Sequence, residues 1–139
     1  MVAANKYAIF YNDSGGDFAA GFRAELLSRI RELEVHLTPE GDYNESEKIL
    51  FYLVILTTLV RHVPFEDCIN EFVVIDPDEI RELKTKFMAV WEQQFSDSIG
   101  GPDNVGVEFD TYMRDHRELT EKTFDDLLEA SENPPPPIS

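Results

Sequence analysis

The chain has 139 residues, is 42% apolar and carries 28 acidic against 12 basic residues, which gives a formal net charge of −16 at pH 7. This length and apolar content predict one domain with a real core and argue against the disorder that high net charge otherwise favours. The charge makes nucleic acid an implausible direct ligand, because its phosphates would be repelled, and it favours basic protein partners instead.

The single cysteine and the first residues bear on the compartment. Cys68 has no second cysteine with which to form an internal disulfide or a thiolate metal cluster, and this fits a reducing environment. Residues 1–6 lack the basic and apolar regions of a signal peptide. We therefore expect a cytoplasmic location.

The chain opens with an apolar run at residues 7–11, for which we predict a short extended segment, followed by glycines. Gly16 and Gly21 bracket four residues, as the glycines of a phosphate-binding loop do. The lysine and hydroxyl residue that such a loop needs after its second glycine are missing. We interpret the stretch as the start of a helix capped by Ser14 or Asp17.

Apolar residues at steps of three and four then predict the first helix. The stripe consists of Phe18, Phe22, Leu26, Ile30, Leu33 and Leu37. Pro39 disfavours helical geometry in the residue before it, so this helix should end near Leu37.

Residues 45–63 predict a second helix that is hydrophobic on all sides. Ten of the twelve residues at 49–60 are apolar, which is typical of a central buried helix. A membrane span is disfavoured because charged residues close the apolar run well short of about 20 residues. A surplus apolar face of this helix would alternatively serve as a homodimer surface.

The next segment is ambiguous and the third helix is clear. Residues 65–75 suit a short helix that ends in an extended piece at 72–75. Asp76 can cap the following helix, and Pro77 occupies its first position. An apolar stripe then runs to about Phe95 through Ile80, Leu83, Phe87, Val90 and Trp91.

Residues 107–131 predict a long amphipathic last helix. Its exposed face carries a charge ladder in which the sign alternates at steps of four: Asp110, Arg114, Glu118, Lys122 and Asp126. Its apolar side carries Phe109, Tyr112, Met113, His116, Leu119, Thr123, Phe124 and Leu127. For the proline-rich residues 132–139 we expect a disordered tail, with a polyproline ligand as the alternative.

These elements predict a mainly α fold with one acidic helical domain at residues 1–131. We expect a four- to five-helix bundle around the central apolar helix 45–63, with short extended segments possible at 7–11 and 72–75.

Few residues point to catalysis or metal binding. His116 lies in the middle of an apolar stripe, where a histidine can be a general base or a metal ligand but is more often a core residue with satisfied nitrogens. No Glu-x-x-His pair of a helical di-metal centre occurs. We expect no metal, no cofactor and no catalytic residue.

Acidic residues are concentrated in two segments, 38–79 and 102–139, which together hold 15 of the 16 excess negative charges. We predict that they bind a basic partner through Glu40, Asp42, Glu45, Glu47, Glu66, Asp67, Glu71, Asp78, Glu79, Glu121, Asp125 and Glu129. Small acidic proteins that block toxins or nucleases, or that imitate DNA, use such charge to meet cationic clefts.

The leading hypothesis is therefore a non-enzymatic inhibitor or immunity protein for a basic toxin, nuclease or other nucleic-acid-binding protein. The first alternative is a structural or adaptor domain that acts through homodimerisation. The second is a small enzyme that uses His116.

Overall fold

The computed structural model describes residues 6–63 and 75–133. Within these residues the chain is a mainly α bundle without strands, as the sequence predicts. Its helices are α1 (Asp13–Leu33), α2 (Tyr43–His62), α3 (Pro77–Ser98), the short α4 (Gly101–Val105) and α5 (Phe109–Glu132). Short 3-10 segments occupy Lys6–Phe10, Glu34–His36 and Gly106–Glu108.

Helix α2 packs against α1, α3 and α5. Its direction is opposite to that of α1, since Tyr11 just before α1 donates to the His62 carbonyl at the end of α2, and Ser46 near the start of α2 donates to the His36 carbonyl just after α1. It runs with α5, because Tyr43 lies against His116 near the start of both helices and Arg61 lies near Asp126 further along.

Helices α3 and α5 run in opposite directions. Arg81 early in α3 pairs with Glu132 at the end of α5, and Trp91 later in α3 contacts His116 nearer the start of α5. Phe87 and Phe124 join the two helices inside the core, with ring centroids 5.4 Å apart.

The core is built from aliphatic and aromatic side chains of all four long helices. Its fully buried members include Leu26, Ile49, Leu53, Leu56, Ile80, Leu83, Phe87, Phe124 and Leu127. Burial of each such side chain contributes about 1.5–3 kcal/mol relative to exposure, so these contacts are the main source of stability.

The prediction that α2 is buried all round is wrong. Ile49, Leu53 and Leu56 point into the core, but Phe51 and Val54 are each 56% exposed. Within the described residues α1, α3 and α5 pack against α2, and these three helices leave part of its surface exposed.

The predicted apolar stripe of α1 is also wrong at its start. Phe18 is 68% exposed and Phe22 36%, while Ala19 and Arg23 are buried together with Leu26. Helix α1 is oriented so that Arg23, not Phe22, points at α2. The Arg23 guanidinium donates hydrogen bonds to the carbonyls at the end of that helix.

The beginning of α1 corrects two further predictions. Residues 7–11 do not form an extended segment, because most of them lie in the 3-10 segment Lys6–Phe10. The cap of α1 is Asn12 rather than Ser14 or Asp17, and its side-chain oxygen accepts from the Gly15 N–H over 2.7 Å. A β-carbon on Gly15 would lie 2.6 Å from the Phe10 Cα, so the turn needs a glycine there.

The start of α3 is as predicted. The Asp76 carboxylate accepts from the Asp78 N–H over 3.0 Å, and Pro77 is the first helical residue. The ambiguous segment falls largely at residues 64–74, which lie outside the described residues, as do 134–139 of the proline-rich tail.

Helix α5 starts at Phe109, two residues later than predicted, and its buried face differs from the predicted one. The buried residues are Thr120, Phe124, Leu127 and Ala130, whereas Leu119 is 62% exposed and Tyr112 49%. Among the described helices, none has the combination of length and apolar character needed to cross a lipid bilayer.

Candidate functional site

All but one of the predicted partner-binding residues in the described part of the chain form two separate groups. The first, which we call the α2 acidic group, surrounds the start of α2 and contains Glu40, Asp42, Glu45 and Glu47. The second, the α3–α5 acidic patch, contains Asp78, Glu121, Asp125, Glu129 and the neighbouring Glu132. Glu66, Asp67 and Glu71 lie outside the described residues.

The α2 acidic group is held by a tight loop between α1 and α2. The side-chain amide of Gln94 in α3 donates to the carbonyls of His36 and Thr38, over 2.8 and 2.6 Å. Gly41 closes the loop where a β-carbon would lie 2.0 Å from the His36 carbonyl oxygen. The loop is therefore fixed to α3, and the acidic side chains on it have a defined position.

Two members of this group make contacts within the fold. Asp42 caps α2 by accepting from the Asn44 N–H over 2.9 Å. Glu45 pairs with Lys48 over 3.0 Å and lies 4.0 Å from His36. Glu40 is exposed, whereas Glu47 is partly buried. The pKa of the Tyr43 hydroxyl is raised mainly by burial of that hydroxyl and further by the negative charge of Glu47.

The α3–α5 acidic patch places Asp78 of the first acidic segment beside carboxylates of the second. Arg81 contacts Asp78 on its own helix, over 2.9 Å, and Glu132 on α5. Lys84 of α3 pairs with Asp125 over 2.8 Å. These cations hold carboxylates from residues 38–79 and 102–139 side by side on one face.

Residues of α5 within this patch share one side of the helix. Glu121, Asp125, Glu129 and Glu132 follow each other at steps of four, four and three. Arg117 pairs with Glu121 over 3.1 Å. Glu129 is exposed and has no cation within ion-pair distance among the described residues.

Glu79 belongs to neither group, because it turns toward α1. Arg31 donates to both its carboxylate oxygens, over 2.7 and 3.0 Å. This hydrogen-bonded contact holds the pKa of the Glu79 carboxyl below its usual value. The role of Glu79 is therefore to tie α1 to the start of α3.

The two acidic groups lie far apart. Gln94 marks the position of the α2 acidic group along α3, and Asp78 lies sixteen residues earlier on the same helix. At a rise of 1.5 Å per residue this corresponds to roughly 24 Å. One small basic cleft would engage one group or the other, not both.

His116 lies in an aromatic cluster of α3, α5 and the start of α2. Its ring stacks on Phe95 with centroids 3.8 Å apart, and Trp91 stacks on the same Phe95. The Trp91 indole N–H donates to His116 Nδ1 over 3.2 Å, and the Tyr43 hydroxyl lies 3.3 Å from Nε2.

These contacts define the tautomer of His116. An indole nitrogen can only donate, so Nδ1 must accept and the ring proton sits on Nε2, where it donates to the Tyr43 oxygen. Burial lowers the pKa of His116. Both nitrogens have protein partners, which is the arrangement of a core histidine.

An open depression of about 570 Å³ lies at the turn between α3 and α4, lined by Asp97, Ser98, Ile99, Gly100, Asn104, Val105 and Tyr112. His116 does not line it. Among the described residues, no group of three or more His, Cys, Asp or Glu side chains is arranged to hold a metal ion.

Sequence reasoning missed Arg23, which is only 2% exposed. Its guanidinium donates to the Leu59 carbonyl over 2.8 Å and to the Val63 carbonyl, and burial lowers its pKa to about 10. The sequence does contain a signal for its burial, because Arg23 lies four residues after Ala19 and four before Leu27, on an otherwise apolar line of the helix.

Comparison with known proteins gives no relative of this chain: no family model matches it, and no match was found among curated proteins or solved structures.

Proposed function

We propose that this chain is a non-enzymatic acidic binding domain that engages and blocks a basic protein partner through the α3–α5 acidic patch. The observation that carries the proposal is the contact of Arg81 with both Asp78 and Glu132, which brings one carboxylate from each acidic segment together on one face. The net charge of −16 would attract a cationic partner over a distance and speed its association.

The patch suits a protein partner better than strict imitation of a nucleic acid. Carboxylates one helical turn apart along α5 are spaced by about 6 Å, whereas duplex DNA carries one charge per about 1.7 Å of axis. Arg81, Lys84 and Arg117 offset part of the charge. Glu129, which lies between Asp125 and Glu132 on α5, is the residue best able to bind an incoming lysine or arginine.

The ion pairs within the patch give it rigidity. Asp125 and Glu132 are each held by a cation of α3, so their rotamers are largely fixed before a partner arrives. Ordering side chains costs about 0.5–1.5 kcal/mol for each flexible side chain on binding, and a patch ordered in advance avoids much of this cost.

The experiment begins by capturing a partner from cell extract on the immobilised full chain and purifying the captured protein. Its affinity for the chain is then measured by calorimetry at about 50 mM and about 500 mM salt. We expect affinity to fall at least tenfold over this range, about 1.4 kcal/mol. An affinity that is unchanged by salt would refute the proposal.

Two variants with the same change in net charge locate the binding surface. The patch variant carries Asp125→Asn, Glu129→Gln and Glu132→Gln. The control variant carries three exposed neutralisations on α1, namely Asp13→Asn, Asp17→Asn and Glu25→Gln. We expect the patch variant to bind at least tenfold more weakly and the control to stay within about threefold. Equal losses would show that the patch is not the site.

A further inference from the structure

Helix α2 has an outward face that the other described helices leave exposed. Phe51 and Val54 are each 56% exposed, and Ile55 beside them is 40% exposed. Large apolar side chains grouped on one helix face are a common mark of a protein interface. This face is distinct from the α3–α5 acidic patch.

The spacing of this face is that of a helix–helix seam. Residues at alternating steps of four and three run along it, and we call them the α2 stripe: Glu47, Phe51, Val54, Thr58 and Arg61. Such a repeat keeps one face of a helix toward a partner helix over several turns. Val54 is the middle residue of the stripe.

The ends of the α2 stripe carry opposite charges. Glu47 lies seven residues before Val54, and Arg61 lies seven residues after it. If a second copy packs antiparallel about a twofold axis at Val54, Glu47 of each copy meets Arg61 of the other. The stripe is therefore complementary to itself, as a twofold interface requires.

Arg61 is available for such a pair. Its distance to Asp126 on its own chain is 3.8 Å, close to the limit for an ion pair. Asp126 is held more tightly by Lys122, over 2.8 Å. Arg61 can therefore turn toward a carboxylate of a second copy at small cost.

A groove next to Val54 provides a place for a side chain of the second copy. It has a volume of about 120 Å³ and lies between α2 and α5, lined by Val54, Thr57, Thr58, Arg61, Thr123 and Asp126. In the antiparallel arrangement Phe51 of the second copy lies opposite Thr57, at this groove. Leu119, 62% exposed and one turn before Thr123 on α5, extends the apolar area.

We infer that the α2 stripe is the contact surface of an antiparallel homodimer of this chain. Because each copy carries a charge of −16, the two copies repel each other, and the dimer should strengthen when salt screens that repulsion. Binding of a basic partner should respond to salt in the opposite direction. The two interactions can therefore be tested independently.

Sedimentation of the full chain between about 1 µM and about 1 mM, at low and high salt, tests the proposal. We expect a concentration-dependent dimer that is favoured at high salt. Val54→Glu places two carboxylates against each other at the twofold axis and should raise the dimer Kd at least tenfold. The matched control, Val107→Glu, changes a fully exposed valine outside the stripe and should have no effect.

A charge exchange tests the antiparallel arrangement. Glu47→Arg and Arg61→Glu should each weaken the dimer, and the double variant should restore it, because the pair is re-formed with its signs reversed. A chain that stays monomeric at high salt, an equal effect of Val54→Glu and Val107→Glu, or a double variant that fails to recover would each overturn the proposal.

Discussion

The Trp91 indole N–H donates to Nδ1 of His116 over 3.2 Å, which favours the neutral form of this histidine. Protonation would place a second N–H on Nδ1, directly facing the Trp91 donor. Burial of the ring acts in the same direction and lowers the pKa of His116. We therefore expect the aromatic cluster to be sensitive to acid.

We expect the free energy of unfolding to fall as the pH drops below 6.5. The unfolded chain binds a proton at His116 near pH 6.5, whereas the folded chain does so only at lower pH. The contribution of neutral His116 is thus fully present above about pH 6.5 and is lost as the pH falls toward the folded pKa. Urea denaturation at several pH values between about 7.5 and 5 measures it.

His116→Gln should remove most of this pH dependence, because glutamine does not titrate in the window. His36→Gln serves as the control, since His36 is a partly exposed histidine outside the aromatic cluster. An unchanged slope in His116→Gln would assign the acid sensitivity to other groups.

Arg23→Met should destabilise the protein by about 2–4 kcal/mol. The Arg23 guanidinium donates to the carbonyls of Leu59 and Val63 at the end of α2, and methionine cannot donate to them. Thermal and urea denaturation measure the loss. Arg29→Met is the control on the same helix, because the exposed Arg29–Glu25 pair should contribute less than about 1 kcal/mol. Equal losses in the two variants would contradict a capping role for Arg23.

The sequence predicts the helices of this fold much better than it predicts their orientation. Asp76 and Pro77 at the start of α3, like Pro39, act through local backbone geometry. Their effect can therefore be predicted without knowing which helices pack nearby. The buried face of a helix depends on what packs against it. Periodicity on α1 therefore selected Phe22, while the structure buries Arg23.

Prediction of the acidic site from the sequence is limited in the same way. Composition identifies an excess of carboxylates, but the pairing of Arg81 with Glu132 joins residues 51 positions apart and depends on the α3–α5 packing. Asp42 and Glu79 illustrate a second difficulty, since a cap and an interhelical ion pair have the same residue types as a binding surface. Only the geometry separates these roles.

The two faces of α2 should respond very differently to truncation. Leu53→Ala removes a fully buried side chain and should cost about 2–5 kcal/mol. Phe51→Ala removes an exposed ring from the same helix and should cost less than about 1 kcal/mol, measured with the monomer at low concentration. A large loss in Phe51→Ala would mean that this side of α2 is packed within the bundle, which would contradict the uncovered face.

Glu79→Gln should make a small change in stability that depends on pH. Arg31 holds the pKa of Glu79 below its usual value, so the ion pair stabilises the fold above about pH 4.5 and its contribution is lost as the pH falls through the folded pKa.

Because both side chains are more than a third exposed, solvent screening limits the effect to about 0.5–1 kcal/mol at neutral pH. Denaturation at several pH values between about 7 and about 3 should show a difference between variant and parent that shrinks as the pH falls, since protonated Glu79 no longer pairs. Asp78→Asn, which leaves the contact of Arg81 with Glu132 in place, is the control and should change stability less than Glu79→Gln. The effect of Glu79 begins as the pH falls below about 4.5 and that of His116 as it falls below about 6.5, so one pH series on the two variants distinguishes them.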